Sequence, residues 1–130
     1  MQDEQKVLDT FNDYSKKFEL LKPGELTPFY HYPSILISDD KAAALKNKLE
    51  AWFVLTKVMG DLKKENYHHS VMRDLKVKFL SEKLATITGA AKRVREDKSV
   101  IIDFGLTYTL RKMGNEWKII AGIIHDVLPL

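Results

Sequence analysis

The C-terminal stretch from Ser99 to His125 constrains the fold more than any other part of the chain. β-Branched and aromatic residues dominate both of its arms. Gly114 and Asn115 separate the arms, and both residue types readily adopt the positive φ angles that a tight turn requires. The stretch therefore predicts two long strands joined as a hairpin at residues 113–115.

The first arm of this hairpin carries large apolar side chains at alternate positions. Phe104, Leu106 and Tyr108 share one face, and Asp103 and Thr107 share the other. A strand face in water would not carry three such large side chains, so we expect both faces to be covered. We assign a second, back-to-back sheet to the Phe104 face and the helices to the Asp103 face.

The order of hydrophobic periods predicts helices first and strands later. Helical spacing predicts a first helix over Asp3–Leu20 and a long helix around residues 45–59, with a short strand at Ser34–Ser38 between them. From about His69 the period changes to two, which predicts a meander of four strands. The apolar face of the long helix is predicted to contain Leu45, Leu49, Trp52, Phe53, Thr56 and Met59. Residues 1–130 therefore form one α+β domain, in which N-terminal helices close a cone-like pocket over a curved antiparallel sheet.

Composition narrows the functional classes. The chain has no cysteine, which excludes disulfides and thiolate metal sites. Its N-terminus lacks the apolar core of a signal peptide and its longest apolar run, Ala51–Leu55, is too short to span a bilayer, so we expect a cytoplasmic protein without a membrane partner. The one basic cluster, Lys92–Arg95, is followed at once by two acids, so no nucleic-acid partner is expected. Adjacent His68 and His69 point to opposite faces of a strand, and neither a metal nor another cofactor is expected.

These elements resemble the cone-shaped fold of the nuclear transport factor two-like superfamily, which includes SnoaL-like proteins, ketosteroid isomerase and scytalone dehydratase. The resemblance rests on the amphipathic helix Val7–Phe18, the short strand before the Leu45–Met59 helix, and the closing hairpin Tyr108–Ile120 with its Trp-Lys-Ile ending. It implies a deep interior pocket and frequent homodimers through the outer sheet face. Because the superfamily contains both enzymes and binding proteins, the resemblance alone does not imply a reaction.

The resemblance to the isomerases is partial at the level of single residues. Tyr14 resembles the pocket tyrosine of that family. The first catalytic acid of the isomerases corresponds to a position near Ser38 in this chain. The second catalytic acid corresponds to Thr107, and Asp103 lies four residues earlier on the same face. Isomerase activity is therefore not carried over to this chain.

Asp103 is the most informative polar residue, because it interrupts an apolar run. A buried carboxylate must be paired, hydrogen-bonded or protonated, and each of these states can make it reactive. We predict that Asp103 faces the cone interior near Tyr14, and that these two residues are the candidate catalytic groups. The alternative is a structural aspartate that pairs across the sheet with Arg93 or Arg95.

Together these features predict a protein that binds a small, largely apolar molecule in its interior. One rival interpretation is a weakly specific isomerase, dehydratase or hydrolase that uses Asp103 with Tyr14; another is a non-catalytic, dimerising accessory module. The predicted homodimer contact is the face of Phe104, Leu106 and Tyr108. The predicted ligand-binding residues, some of which could equally be core, are Tyr14, Tyr30, Tyr32, Trp52, Asp103 and Thr107.

Overall fold

The computed structural model of the protein describes residues 2–127. Three α-helices lie against one face of a six-stranded sheet. The helices are α1 (Gln2–Phe18), α2 (Pro23–Leu26) and α3 (Lys48–Lys64), with a 3-10 turn at Thr27–Phe29. The strands are β1 (Tyr30–Ile37), β2 (Ala42–Leu45), β3 (Tyr67–Ser81), β4 (Leu84–Arg95), β5 (Val100–Met113) and β6 (Glu116–His125).

The strand order in the sheet is β2-β1-β6-β5-β4-β3. The meander β3–β6 is antiparallel throughout, as short turns between neighbouring strands require. Strand β1 lies parallel to β6, so the sheet is mixed, and β2 and β3 form its two free edges. The α+β class is confirmed, with N-terminal helices over a mixed sheet that does not close.

The inner, helix-covered face of β5 carries the large apolar side chains. Phe104, Leu106 and Tyr108 are buried there, and the Tyr108 ring centre lies 5.1 Å from that of Phe11 on α1. The expectation that these residues form an outer dimer face is wrong. The helices bury most apolar area when they pack on the more apolar face of the sheet. Because side chains alternate along β5, that is the face of Phe104, Leu106 and Tyr108. Asp103 and Thr107 consequently lie on the outer face.

Strand β3 contains a bulge that exchanges its two faces. Asp74 has a φ of 57°, and the pairing with β4 shifts between Arg73 and Lys76. Val71 and Arg73 therefore lie on the outer face, whereas Val77, beyond the bulge, packs on the core. Strict alternation places Arg73 on the same face as Val77 and Phe79, but the bulge leaves it on the opposite face from them.

Helix α3 is rotated relative to the prediction. Its buried residues are Ala51, Leu55, Met59 and Leu62, at helical spacing. The predicted face is wrong in its centre, because Trp52 is 42% exposed and Phe53 is 59% exposed. The helix begins at Lys48 with Asn47 as its N-cap, and Leu45 belongs to the unpredicted strand β2. Among residues 2–127, no helix is both long and apolar enough to cross a membrane.

Candidate functional site

An apolar cleft opens between α1, α3 and the inner face of the sheet. Its volume is about 280 Å³, near the lower end of small-molecule sites. Strand alternation brings Leu36, Tyr108 and Ile124 to its floor, while Val54 and Val58 project from α3. The complete lining is Tyr14, Phe18, Leu36, Ile37, Ser38, Lys41, Ala43, Val54, Leu55, Val58, Arg93, Tyr108, Gly122 and Ile124.

A second, smaller compartment adjoins the cleft beneath α1. It has a volume of about 30 Å³, roughly the space of one water molecule. Phe11, Ser70, Met72 and Phe104 are among its walls. The residues that line both compartments are Tyr14, Phe18, Arg93, Tyr108 and Ile124. These five side chains therefore mark the boundary between the two spaces.

Two buried tyrosines meet at the wall of the cleft. The hydroxyl oxygens of Tyr14 and Tyr30 are 2.5 Å apart and form a hydrogen bond, in which either hydroxyl can be the donor. Burial raises the pKa of Tyr14 well above 10, and the neighbouring Tyr108 and Tyr30 phenols add to this rise. Burial likewise raises the pKa of Tyr30 well above 10, while its hydrogen bond with Tyr14 partly opposes the effect. Both phenols are therefore neutral hydrogen-bonding groups at physiological pH.

Arg93 is the charged group at the boundary of the two compartments. Its guanidinium carbon lies 5.2 Å from the centre of the Phe18 ring and 4.8 Å from that of Phe104. These distances are typical of cation–π contacts. The charge of Arg93 also opposes the rise in the pKa of Tyr108 that burial causes. The site thus combines an apolar cavity with phenol hydroxyls and one half-buried cation.

The three predicted tyrosines occupy different environments. Tyr14 lines the cleft, as predicted. Tyr30 lies behind Tyr14 as its hydrogen-bond partner. Tyr32 is half-buried and donates its hydroxyl proton to the carbonyl of Thr27 at 2.8 Å, outside the cleft lining.

The other three predicted residues lie away from the cleft. Trp52 is on the far side of α3, beside an open surface depression. Thr107 is on the outer sheet face, where its hydroxyl lies 3.0 Å from Nε2 of His125. Asp103 is also on the outer face and accepts a hydrogen bond from Arg73 at 2.8 Å, with 43% of its side chain exposed. The prediction that Asp103 is the polar centre of the pocket is therefore wrong.

The structure supports the alternative role for Asp103 but changes its partner. It is a cross-sheet ion-pair residue, as that alternative states, although it pairs with Arg73 rather than with Arg93 or Arg95. Arg95 pairs with Glu65 instead. Because Asp103 and Tyr14 lie on opposite sides of the sheet, they cannot act as one acid–base pair.

Sequence reasoning missed Arg93 and Tyr108 as cleft residues. The signal for Arg93 was present, because Ile87, Gly89, Ala91 and Arg93 follow the same alternation along β4. Because alternate residues of a strand share one face, Arg93 lies on the same face as the buried residues Ile87 and Ala91. Tyr108 was missed because the two faces of β5 were exchanged.

The lining residues set the chemistry that the cleft supports. They include Lys41 and Arg93 but no aspartate or glutamate in either compartment. Within residues 2–127, no three His, Asp or Glu side chains come together as a metal site. The arrangement is suited to binding an apolar molecule and to donating hydrogen bonds to its polar end.

The cone-like α+β fold and its interior cleft define the structural class of this protein. The family model described as "NTF2-like protein (DUF6841)" matches residues 3–127. The chain therefore belongs to the NTF2-like proteins, which confirms the superfamily that its sequence resembles.

Solved structures show the same fold at low sequence identity. An NTF2-like protein with a cystatin-like fold from Novosphingobium aromaticivorans gives a TM-score of 0.80 at 10% identity, covering 97% of this chain and 82% of that one. An NTF-2 like protein of unknown function from Shewanella oneidensis MR-1 gives 0.74 at 16% identity, covering 94% and 98%. A ketosteroid isomerase-like protein from Erwinia carotovora gives 0.70 at 16% identity, covering 98% of each chain. No curated protein matches the sequence.

The tyrosine pair predicts a specific alkaline instability. Above about pH 10 the tyrosines of the unfolded chain ionise. Buried Tyr14 and Tyr30 stay protonated, because the pKa of each is raised in the folded state. The unfolded state then binds fewer protons, so the free energy of unfolding falls as pH rises through and beyond the unfolded pKa. Replacing both residues by phenylalanine should reduce the loss of stability between pH 9 and 11, as measured by urea denaturation.

The double substitution removes both hydroxyls, so it leaves neither of them without its partner. Its free energy of unfolding at pH 7 should therefore stay within about 1 kcal/mol of that of the wild type. Tyr32→Phe is the matched control. It should change the fall in the free energy of unfolding between pH 9 and 11 by less, since the Tyr32 ring is half-buried. If the double variant lost as much unfolding free energy between pH 9 and 11 as the wild type does, the role of the tyrosine pair would be contradicted.

Proposed function

We propose that this protein binds a small, largely apolar molecule in the cleft between α1, α3 and the inner sheet face. The observation that carries the proposal is the cleft itself, with a volume of about 280 Å³ and mainly aliphatic and aromatic walls. The lining contains few polar residues, namely Ser38, Lys41, Arg93 and the two tyrosines Tyr14 and Tyr108. This combination of apolar walls and few polar groups is typical of small-molecule sites.

A reaction in the cleft receives less support than binding. General acid–base catalysis requires a group that can accept a proton near neutral pH. The lining residues offer phenols, a serine hydroxyl and two cations, and the carboxylate proposed for this role lies on the other sheet face. Binding without turnover is therefore the function that the site favours over isomerase, dehydratase or hydrolase chemistry.

A neutral fluorescent probe tests whether the cleft is a binding site. N-phenyl-naphthylamine brightens in apolar surroundings, and its fluorescence should rise saturably when it is titrated with the wild-type protein. Val58→Trp places an indole in the cleft and should weaken binding about tenfold or more. Thr56→Trp is the matched control, because Thr56 is exposed on another face of α3, and it should bind like the wild type.

Circular dichroism would establish that each tryptophan variant is folded. Ala43→Trp fills the cleft from β2 instead of α3. If this variant also binds weakly, the loss of binding does not come from a disturbance of α3. The proposal fails if the wild type shows no saturable rise, or if the two cleft-filling variants bind as well as the wild type.

We propose in addition that the outer sheet face forms a homodimer contact. Two adjacent rows of outer-face residues carry no charge. One row runs through Ala44, Ile35, Ala121, Thr109 and Thr86, and the other through Ile123, Thr107 and Thr88. Lysines flank the patch on edge strand β3, at Lys76 and Lys78. An uncharged patch in the middle of a sheet face suits a second copy of the same face.

The centre of this patch offers a direct test. Thr109→Arg introduces a charge there and should convert a wild-type dimer to a monomer in sedimentation velocity. Leu80→Arg is the control, because Leu80 is 58% exposed near the end of an edge strand. A substitution at Leu106 cannot test this contact, because Leu106 is buried under the helices. A wild type that stays monomeric at high concentration defeats the dimer proposal.

A further inference from the structure

Arg93 occupies an unusual place for a charged side chain. It lies on the inner face of β4, in line with the buried residues Ile87 and Ala91. Its guanidinium group lies over the rings of Phe18 and Phe104, at the boundary of the two interior compartments. These rings hold the cation in one place without using its N–H donors in ordinary hydrogen bonds.

The other arginines near this end of the sheet have acidic partners. Arg73 donates to Asp103, and Arg95 donates to Glu65, each at 2.8 Å. Among residues 2–127, Arg93 makes no salt bridge and no side-chain hydrogen bond. Glu19, an acid at this end of α1, accepts a hydrogen bond from the Ser70 amide at 3.1 Å instead. The donors of Arg93 therefore remain free for a group outside this part of the chain.

The charge of the cleft has one sign. Arg93 and Lys41 line it, and neither compartment is lined by an aspartate or glutamate. A half-buried guanidinium loses hydration, and pairing with an anion offsets this cost further than the two aromatic rings do alone. A planar carboxylate matches the fork of N–H donors on arginine and forms the strongest class of such pairs.

We propose that the ligand of the cleft carries a carboxylate, bound by the guanidinium of Arg93, on an apolar body that fills the space beside α3. This inference rests on the proposed binding function and adds its specificity. Tyr108 lines both compartments together with Arg93. The apolar body then contacts Leu36, Val54 and Val58.

The test uses two ligands of the same shape, naphthoate and its neutral amide, naphthamide. Isothermal titration calorimetry at one salt concentration should show the wild type binding naphthoate about tenfold or more tightly than naphthamide. Arg93→Met keeps an apolar chain over the two rings and removes the charge. It should lower naphthoate affinity to that of the amide and leave the amide affinity unchanged.

Two further variants make the result specific. Arg111→Met removes the same charge from an exposed residue of the outer face, so it should keep the wild-type preference for naphthoate. Arg93→Lys keeps the charge but loses the planar fork, and it should retain part of that preference.

The outcomes separate this inference from the proposed function. Equal affinities of the wild type for the two ligands, or a preference that persists in Arg93→Met, would overturn the role of Arg93. Failure of naphthoate to bind a protein that binds N-phenyl-naphthylamine would also overturn it, while leaving the cleft as a binding site. Failure of all three compounds to bind would remove the proposed function together with the inference.

Discussion

The contact between α1 and the inner face of β5 determines which side of the sheet is the interior. Phe11 and Tyr14 project from α1 onto Tyr108, with ring centres 5.1 Å and 5.9 Å away. Aromatic pairs at these separations stabilise a core beyond the simple burial of their area. Because this contact fixes which face of β5 is covered, it also fixes which side of every neighbouring strand faces the interior. The cleft, the position of Arg93 and the exposure of Asp103 all follow from that choice.

The same contact explains why two arginines on adjacent strands have different roles. Arg73 and Arg93 both come from strands that alternate apolar and polar residues. The bulge at Asp74 directs Arg73 outward to Asp103, where it forms a solvent-exposed ion pair of small energetic value. Arg93 is turned inward by the alternation of β4 in its pairing with β5, where it lies over aromatic rings and pairs with no acidic side chain of residues 2–127. A single inserted residue thus separates a surface cation from an interior one.

Much of the fold could be predicted from the sequence, because local periodicity and turn chemistry specify it. The hairpin at Gly114, the strand Leu84–Arg95 and the helix α1 follow from such signals. The parallel pairing of β1 with β6 could not be inferred, since it joins residues far apart in the chain. The faces of β5 were exchanged because alternation identifies two faces but not which one the helices cover.

The candidate site was less predictable than the fold for the same reason. Tyr14 was identified, because the apolar stripe of α1 must face the sheet. Trp52 was misplaced because α3 carries apolar residues on more than one side, and the buried side is set by Ala51, Leu55 and Met59. Arg93 was treated as part of a surface basic cluster, whereas the alternation of β4 places it inside.

The proposed carboxylate site depends on the Arg93 side chain lying over the rings of Phe18 and Phe104, at the boundary of the two compartments. Proton–carbon NMR of the arginine side chains in the ligand-free protein tests this position. Ring currents should move the Arg93 side-chain protons upfield of those of exposed Arg111, and Phe104→Leu should reduce the displacement. Arg93 signals that coincide with those of the exposed arginines, and that do not respond to Phe104→Leu, would contradict the account.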